Sequence, residues 1–218
     1  MRFELAIFDC DGVLIDSEHL AVRADVVCLA EDGIILTEAE ILSTYVGISV
    51  AEMVADLARR FDRKIGGDFA ARHDARVSAI FEAELRAMPG IGAVLDSWPG
   101  ARCVASSSTP ARLKHALGLV GLYDRFAPHV FSAVQVQRGK PAPDLFLYAA
   151  ARMRVDPRAC VVIEDSLAGV EAGASAGMTV IGFTGGSHCP PGHAARLAER
   201  GAAQIVADMA GLLPVLAG

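Results

Sequence analysis

Lysine is scarce in this chain of 218 residues, with three lysines against 17 arginines, and the net charge is −6. The sequence pI is near 5.5. So acidic a balance argues against a nucleic-acid binder or a protein of anionic membrane surfaces, both of which need a basic face. A local basic patch stays possible, because a total does not report distribution. Cysteine is sparse and unpatterned. Cys10, Cys28, Cys103, Cys160 and Cys189 are widely spaced, and no Cys-x-x-Cys pair occurs. That leaves out a zinc knuckle and a dithiol redox motif, and it points to reduced, mostly buried thiols in a cytoplasmic protein. No apolar run reaches the ~18 residues of a membrane span. The opening Met1-Arg2-Phe3-Glu4 has no leader-like apolar stretch. Internal repeats are missing, and so is low complexity beyond a general richness in alanine.

What the chain does have is apolar bulk, 53% of its residues, enough for a packed core. Short apolar runs at 4–8, 101–105, 160–163, 179–183 and 204–206 read as buried strands. Helical patterns lie between them at 110–118, 143–152, 166–176, 193–200 and 208–217. Strand alternating with helix predicts an α/β fold, a doubly wound, Rossmann-like parallel sheet covered on both faces. Gly169, Gly173 and Gly177, four apart, suggest a smooth helix face lying close on the sheet.

One interval is too long for a simple crossover, the one between the run ending at Asp9 and the run starting at Ala101. It is helical in pattern. Met53, Val54, Leu57, Ala58 and Phe61 share one face, and Val77, Ile80, Phe81 and Leu85 share another. Residues 16–86 are therefore expected to form an α-helical cap inserted after the first strand, with 1–15 and 87–218 forming the α/β core. Loops at the carboxyl ends of parallel strands build the ligand crevice, so such a cap would cover it.

Four short segments carry candidate chemistry. Asp9-Cys10-Asp11-Gly12 ends the first strand with two acids two residues apart, and Gly12 permits a sharp exit. Such acids repel unless a cation or proton lies between them, although a turn with two solvated acids has the same spelling. Ser106-Ser107-Ser108-Thr109-Pro110 follows the second strand. Thr109 there reads as an N-cap with proline in the first turn, and the start of that helix suits a phosphate or serves as a plain capping turn. Gly139-Lys140-Pro141-Ala142-Pro143 fixes the backbone around one of the rare lysines, which an exposed loop would also allow. Glu164-Asp165-Ser166 ends a third strand in hard oxygen ligands of the kind magnesium takes, or in acids that favour a helix start. All four fall at strand ends that converge on one edge of the sheet.

In that order, these segments resemble the phosphatases of the haloacid dehalogenase superfamily. The subgroup is the one with a small helical cap, the beta-phosphoglucomutase-like and sugar-phosphatase members. The matching text runs Phe8-Asp9-Cys10-Asp11-Gly12-Val13-Leu14-Ile15-Asp16-Ser17-Glu18, Ala105-Ser106-Ser107-Ser108, Gly139-Lys140-Pro141-Ala142-Pro143-Asp144 and Glu164-Asp165-Ser166-Leu167-Ala168-Gly169-Val170. The resemblance implies a Mg²⁺-dependent phosphatase of a small phosphorylated metabolite, a sugar phosphate or phosphorylated sugar acid, working through an aspartyl-phosphate. It implies Asp9 as nucleophile, Asp11 as general acid and base, and Lys140 as the partner of phosphate and nucleophile. Ser106, Ser107, Ser17 and Gly47 would serve substrate and phosphate. Asp9, Asp11, Glu164 and Asp165 would hold the metal.

Two alternatives accompany this expectation, a phosphosugar mutase and a non-catalytic phosphate sensor. The resemblance places Ala21 where mutases of this type carry a histidine, and Val50 where they carry a clamping arginine, with Arg23 close enough to stand in. The expected partner is a small organic phosphate, with neither nucleic acid nor membrane. The oligomeric state is left open with a monomer favoured. His188, in the loop after the fourth apolar run, is expected on the surface, and no role is assigned to it or to Cys10.

Overall fold

The computed structural model describes residues 3–217. The chain opens with β1 (Leu5–Phe8) and then makes four helices before returning to the sheet: α1 (Glu18–Glu31), α2 (Glu38–Tyr45), α3 (Val50–Arg60) and α4 (Phe69–Glu84). After α5 (Ile91–Ser97) it alternates: β2 (Ala101–Ser106), α6 (Pro110–Leu119), α7 (Tyr123–Phe126), β3 (Val130–Ser132), α8 (Asp144–Met153), β4 (Cys160–Glu164), α9 (Leu167–Ser175), β5 (Thr179–Phe183), α10 (His193–Glu199), β6 (Gln204–Val206) and α11 (Met209–Ala217).

The six strands form one parallel sheet in the order β3-β2-β1-β4-β5-β6. Chain order reverses direction at β1, so the carboxyl ends of β1 and β4, adjacent in the sheet, open on the crevice where ligands gather in such folds. Side chains alternate along each strand. Ala6 and Phe8 join one core with α5, α6 and α11, while Leu5 and Ile7 join the other with α8 and α9. Both faces are covered, so the central strands β1 and β4 read as nearly continuous apolar runs without polar alternation. Edge strand β3 and the short helices α5 and α7 were not read from the sequence.

The helical insertion has a core of its own, with Val22, Leu29, Ile34, Ile41, Met53, Leu57 and Phe69 packed together. The face of α4 formed by Val77 and Phe81, continued by Leu85, belongs instead to the main core, together with Leu20 and Ala24 of α1. Thus α1 and α4 stand on the sheet domain, while α2 and α3 lie beyond it. Phe61, expected on the buried face of α3, is 37% exposed because the helix ends one residue before it. The two connecting segments run side by side: Ile15 bridges Ala87, Asp16 N–H donates to the Arg86 carbonyl at 3.1 Å and Met88 N–H to that of Leu14 at 2.9 Å.

Gly173 lies against Val162 and Val180, where a side chain would not fit, whereas Gly177 ends the helix at φ +73° with no close neighbour. The small-residue face thus stops at Gly173. Among the described residues no single helix is long and apolar enough to cross a bilayer. Only α2 and α3 taken as a pair, bent by 112°, reach that length, and both bury their apolar side chains inside the insertion.

Candidate active site

β1 and β4 deliver their terminal acids to one point. Asp9, Glu164 and Asp165 are buried, and one ligand atom from each lies within 4.8 Å of the others. The Lys140 ammonium sits among them, 2.8 Å from Asp9 Oδ1 and 2.7 Å from Glu164 Oε2, with 1% of its side chain exposed. It also lies 5.0 Å from the centre of the Phe146 ring. The loop that carries it turns through a cis Lys140–Pro141 bond.

Glu164 is fully engaged, because its Oε1 accepts from the Ser166 hydroxyl at 2.7 Å and from the Ser166 N–H at 3.0 Å. Both oxygens of Asp165 are buried without a hydrogen-bond donor. Burial, then the neighbouring Glu164 carboxylate, pushes Asp9 well above the usual carboxylate range, with Lys140 pulling against them. Asp165 is raised by the same two causes in the same order. Burial works against the charge on Lys140, but Asp9 and Glu164 outweigh it and raise the ammonium above its ordinary value. Three acids facing one ammonium leave the cluster short of positive charge. Carboxylate oxygens of Asp165 that accept no hydrogen bond are the donor set a hard divalent cation takes, so the residues fit a metal.

Asp11 stands apart from that cluster. Its carboxylate accepts from the Ser17 hydroxyl at 2.7 Å and from the Ser108 hydroxyl at 2.8 Å. Ser108 was not singled out in the sequence, since nothing in a run of three serines says which one faces an acid. Ser106 is buried, and its Oγ accepts from the Ser108 N–H at 3.0 Å. Ser107 donates its hydroxyl to the Gly47 carbonyl at 2.9 Å, joining the serine turn to the loop between α2 and α3. Thr109 caps α6 by accepting from the Arg112 N–H. Gly47 has φ +82°, and a Cβ there would come within 2.2 Å of Ser166 Oγ, so the insertion touches the sheet domain where only glycine fits. At Gly12, φ is +76° and a Cβ would lie 1.8 Å from Asp165 Oδ2.

His188 corrects an expectation. It is 8% exposed, not a surface loop residue, and its Nε2 lies 2.9 Å from Asp165 Oδ2. The loop after β5 is drawn in because Asp16 Oδ1 accepts from the Ser187 N–H at 3.0 Å and from its hydroxyl at 2.9 Å. His193 adds a second contact, with Nε2 2.6 Å from the Asp165 carbonyl. The Cys10 thiol is held well above its usual range by burial, then by Asp11 and Asp9, so it stays protonated and is no nucleophile. Arg23, the residue close enough in sequence to stand in for a clamp, is bound through both terminal nitrogens to Glu84 at 2.7 and 3.0 Å.

A cavity lies between the sheet domain and the insertion. Asp9, Asp11, the three serines and Arg112 line it from the sheet domain, and Ala21, Asp25, Gly47, Val50 and His73 from the insertion. Carboxylates, hydroxyls and an ammonium at strand ends, roofed by helices, can take an anionic group between a nucleophile and a proton carrier.

The family model for haloacid dehalogenase-like hydrolases matches residues 3–177. The 6-phosphogluconate phosphatase of Escherichia coli is 33% identical over 87% of this chain and 86% of its own length. Hexitol phosphatase B of the same organism is 33% identical over 81% of each chain. Among solved structures, a conserved haloacid dehalogenase-like protein of unknown function from Agrobacterium tumefaciens superposes with TM-score 0.84 and 35% identity, covering 99% of this chain and 98% of that one. A hydrolase of the same family from Deinococcus radiodurans, with bound phosphate and sodium, gives TM-score 0.74 at 33% identity, covering 99% and 96%.

Proposed function

We propose that this chain, which belongs to the haloacid dehalogenase-like hydrolases and is a phosphoric monoester hydrolase, removes phosphate from a phosphorylated sugar or sugar acid through an aspartyl-phosphate on Asp9. The observation that carries this reading is the buried ammonium of Lys140 between Asp9 and Glu164, at the adjacent ends of β1 and β4.

A carboxylate oxygen of Asp9 attacks phosphorus in line, and the bond from phosphorus to the ester oxygen breaks. Asp11, exchanging one of its serine partners for the ester oxygen, donates the proton that the leaving alkoxide needs. In the second step the Asp11 carboxylate takes a proton from water. That water attacks phosphorus, the Asp9–phosphorus bond breaks, and inorganic phosphate leaves. Lys140 offsets the charge that would otherwise repel an anionic nucleophile from an anionic substrate. Ser106 and the Ser107 N–H hold phosphoryl oxygens, Ser17 steers Asp11, and Gly47 brings the insertion onto the serine turn. Asp9 and Asp165 would hold Mg²⁺ directly, with Glu164 acting through water and Asp11 through its backbone carbonyl. Bound there, Mg²⁺ supplies the charge neutralisation of phosphoryl transfer.

Phosphatase is favoured over mutase because Ala21 and Val50 line the cavity with small apolar side chains and Arg23 is engaged elsewhere. A cytoplasmic setting is part of the proposal and rests on the free state of the five cysteines. A Mg²⁺-dependent screen over phosphorylated sugars, polyols and sugar acids tests the reading. Release of inorganic phosphate from at least one of them, lost in Asp9→Asn, is expected. Conversion of a hexose 1-phosphate to its 6-phosphate with little free phosphate would overturn it.

A further inference from the structure

The roof of the cavity contains a polar chain that the phosphate chemistry leaves unused. His73 lies on the buried face of α4, between Phe69 and Val77, with 1% of its side chain exposed. Asp25 lies on the buried face of α1, between Val22 and Cys28, with 9% of its side chain exposed. Placing a carboxylate and an imidazole inside a helical core is costly unless they have partners. Arg112, from α6 of the sheet domain, reaches up to His73 Nδ1 at 3.0 Å and also to Asp74.

A guanidinium only donates, so Nδ1 accepts and the His73 proton is on Nε2. That nitrogen lies 2.8 Å from Asp25 Oδ1 but off the line of a hydrogen bond, leaving both atoms buried and unsatisfied. The other Asp25 oxygen, Oδ2, makes no hydrogen bond among the described residues. The chain from Arg112 through His73 therefore ends in a carboxylate on the wall of the cavity that also holds Asp9.

Resting on the phosphatase reading above, we propose that Asp25, His73 and Arg112 form the subsite that reads the hydroxyl-bearing carbon chain of the phosphate ester. An anionic oxygen at the end of a donor chain calls for a partner that donates, and a substrate hydroxyl does so. A substrate carboxylate would face the charge of Asp25 instead, and Arg112 is already paired with Asp74. Asp25 touches the substrate. His73 and Arg112 are positioning residues that hold its carboxylate, and the misaligned contact between His73 and Asp25 tightens once the hydroxyl is in place. The substrate class is thus polyhydroxylated chains carrying a phosphate, whether or not the far end is oxidised to an acid.

The test compares kcat/KM for glucitol 6-phosphate and 6-phosphogluconate with that for p-nitrophenyl phosphate, which has no hydroxyl, in wild type, Asp25→Asn and Arg112→Gln. Arg112 is nearer the surface, so its variant covers the case in which Asp25→Asn fails to fold. The expected result is a fall of at least about tenfold in the ratio of either polyhydroxy substrate to p-nitrophenyl phosphate, the loss typical of a hydrogen bond to a charged group. An unchanged ratio, or a fall confined to 6-phosphogluconate, overturns the proposal. Failure of the wild type on every ester would instead overturn the phosphatase reading, so the two outcomes are separable.

Discussion

The acids at the strand ends reach, through Asp9, the cavity that the polar groups of the helical roof also line, yet the two sets are built differently. Asp9 and Glu164 sit at the ends of paired strands, and Lys140 and Ser166 supply their hydrogen-bond partners, leaving only Asp165 of the three acids without a donor. Asp25 and His73 sit on two helices with a contact that is close but unmade, supported from outside by Arg112. The rigid region suits a reaction that is the same for every phosphate ester. The loosely satisfied region suits recognition, which has to differ between esters and is completed by the ligand.

Breaking the first region should therefore damage all substrates alike. Asp9→Asn removes the proposed nucleophile and is expected to lower kcat by about three orders of magnitude or more on every ester, while the thermal melt still shows a folded protein. Retained turnover would take Asp9 out of the mechanism. Lys140→Met leaves two buried carboxylates without their cation. It should cost about 3–5 kcal/mol in denaturant unfolding, together with most of the activity. A variant as stable as wild type would show that the ammonium is not what holds the cluster together.

His188→Gln probes the support behind Asp165. Groups that orient a metal-binding carboxylate typically change metal affinity by about 10–100-fold, so calorimetric titration with Mg²⁺ should show a weaker dissociation constant in that range. An unchanged constant would mean that His188 only fills space. Gly47→Ala sharpens the line between the regions, since it forces strain and a collision with Ser166 where the roof meets the floor. A KM increase of about tenfold, with kcat changed less, is expected from about 1–2 kcal/mol of strain.

The smallest effect concerns thiols outside both regions. Burial pushes Cys160 up to about 11 from 9.0. The unfolded chain then loses this proton at lower pH than the folded one, so the contribution of Cys160 to stability declines as pH rises from about 9 towards 11. Chemical unfolding at pH 8 and pH 10.5, compared with Cys160→Ala, measures that decline. An identical pH slope in the variant would remove Cys160 as its source.

The same contrast accounts for how much could be seen in the amino-acid order. An apolar run ending in acids and a lysine bounded by prolines are marked within short segments, so Asp9, Lys140 and Asp165 stood out, although Lys140 meets Asp9 and Glu164 only in the fold. Asp25, His73 and Arg112 are scattered along the chain, and only folding joins them. A signal existed: His73 interrupts the apolar spacing of Phe69, Val77 and Phe81, and Asp25 interrupts that of Val22 and Leu29. A polar residue inside an apolar stripe is as informative as the stripe itself. His188 was missed because the groups around it, Asp165 and Gly12, are remote in sequence, as is Asp16, which holds the neighbouring Ser187.

That tie has a mechanical consequence. Asp16 belongs to the two-segment ribbon on which the helical roof is hung, and Ser187 is the residue before the histidine that backs Asp165. A swing of the roof about that ribbon would pull on the loop beside Asp165 unless the two bonds to Ser187 broke first, so one carboxylate links the lid's hinge to the histidine at Asp165.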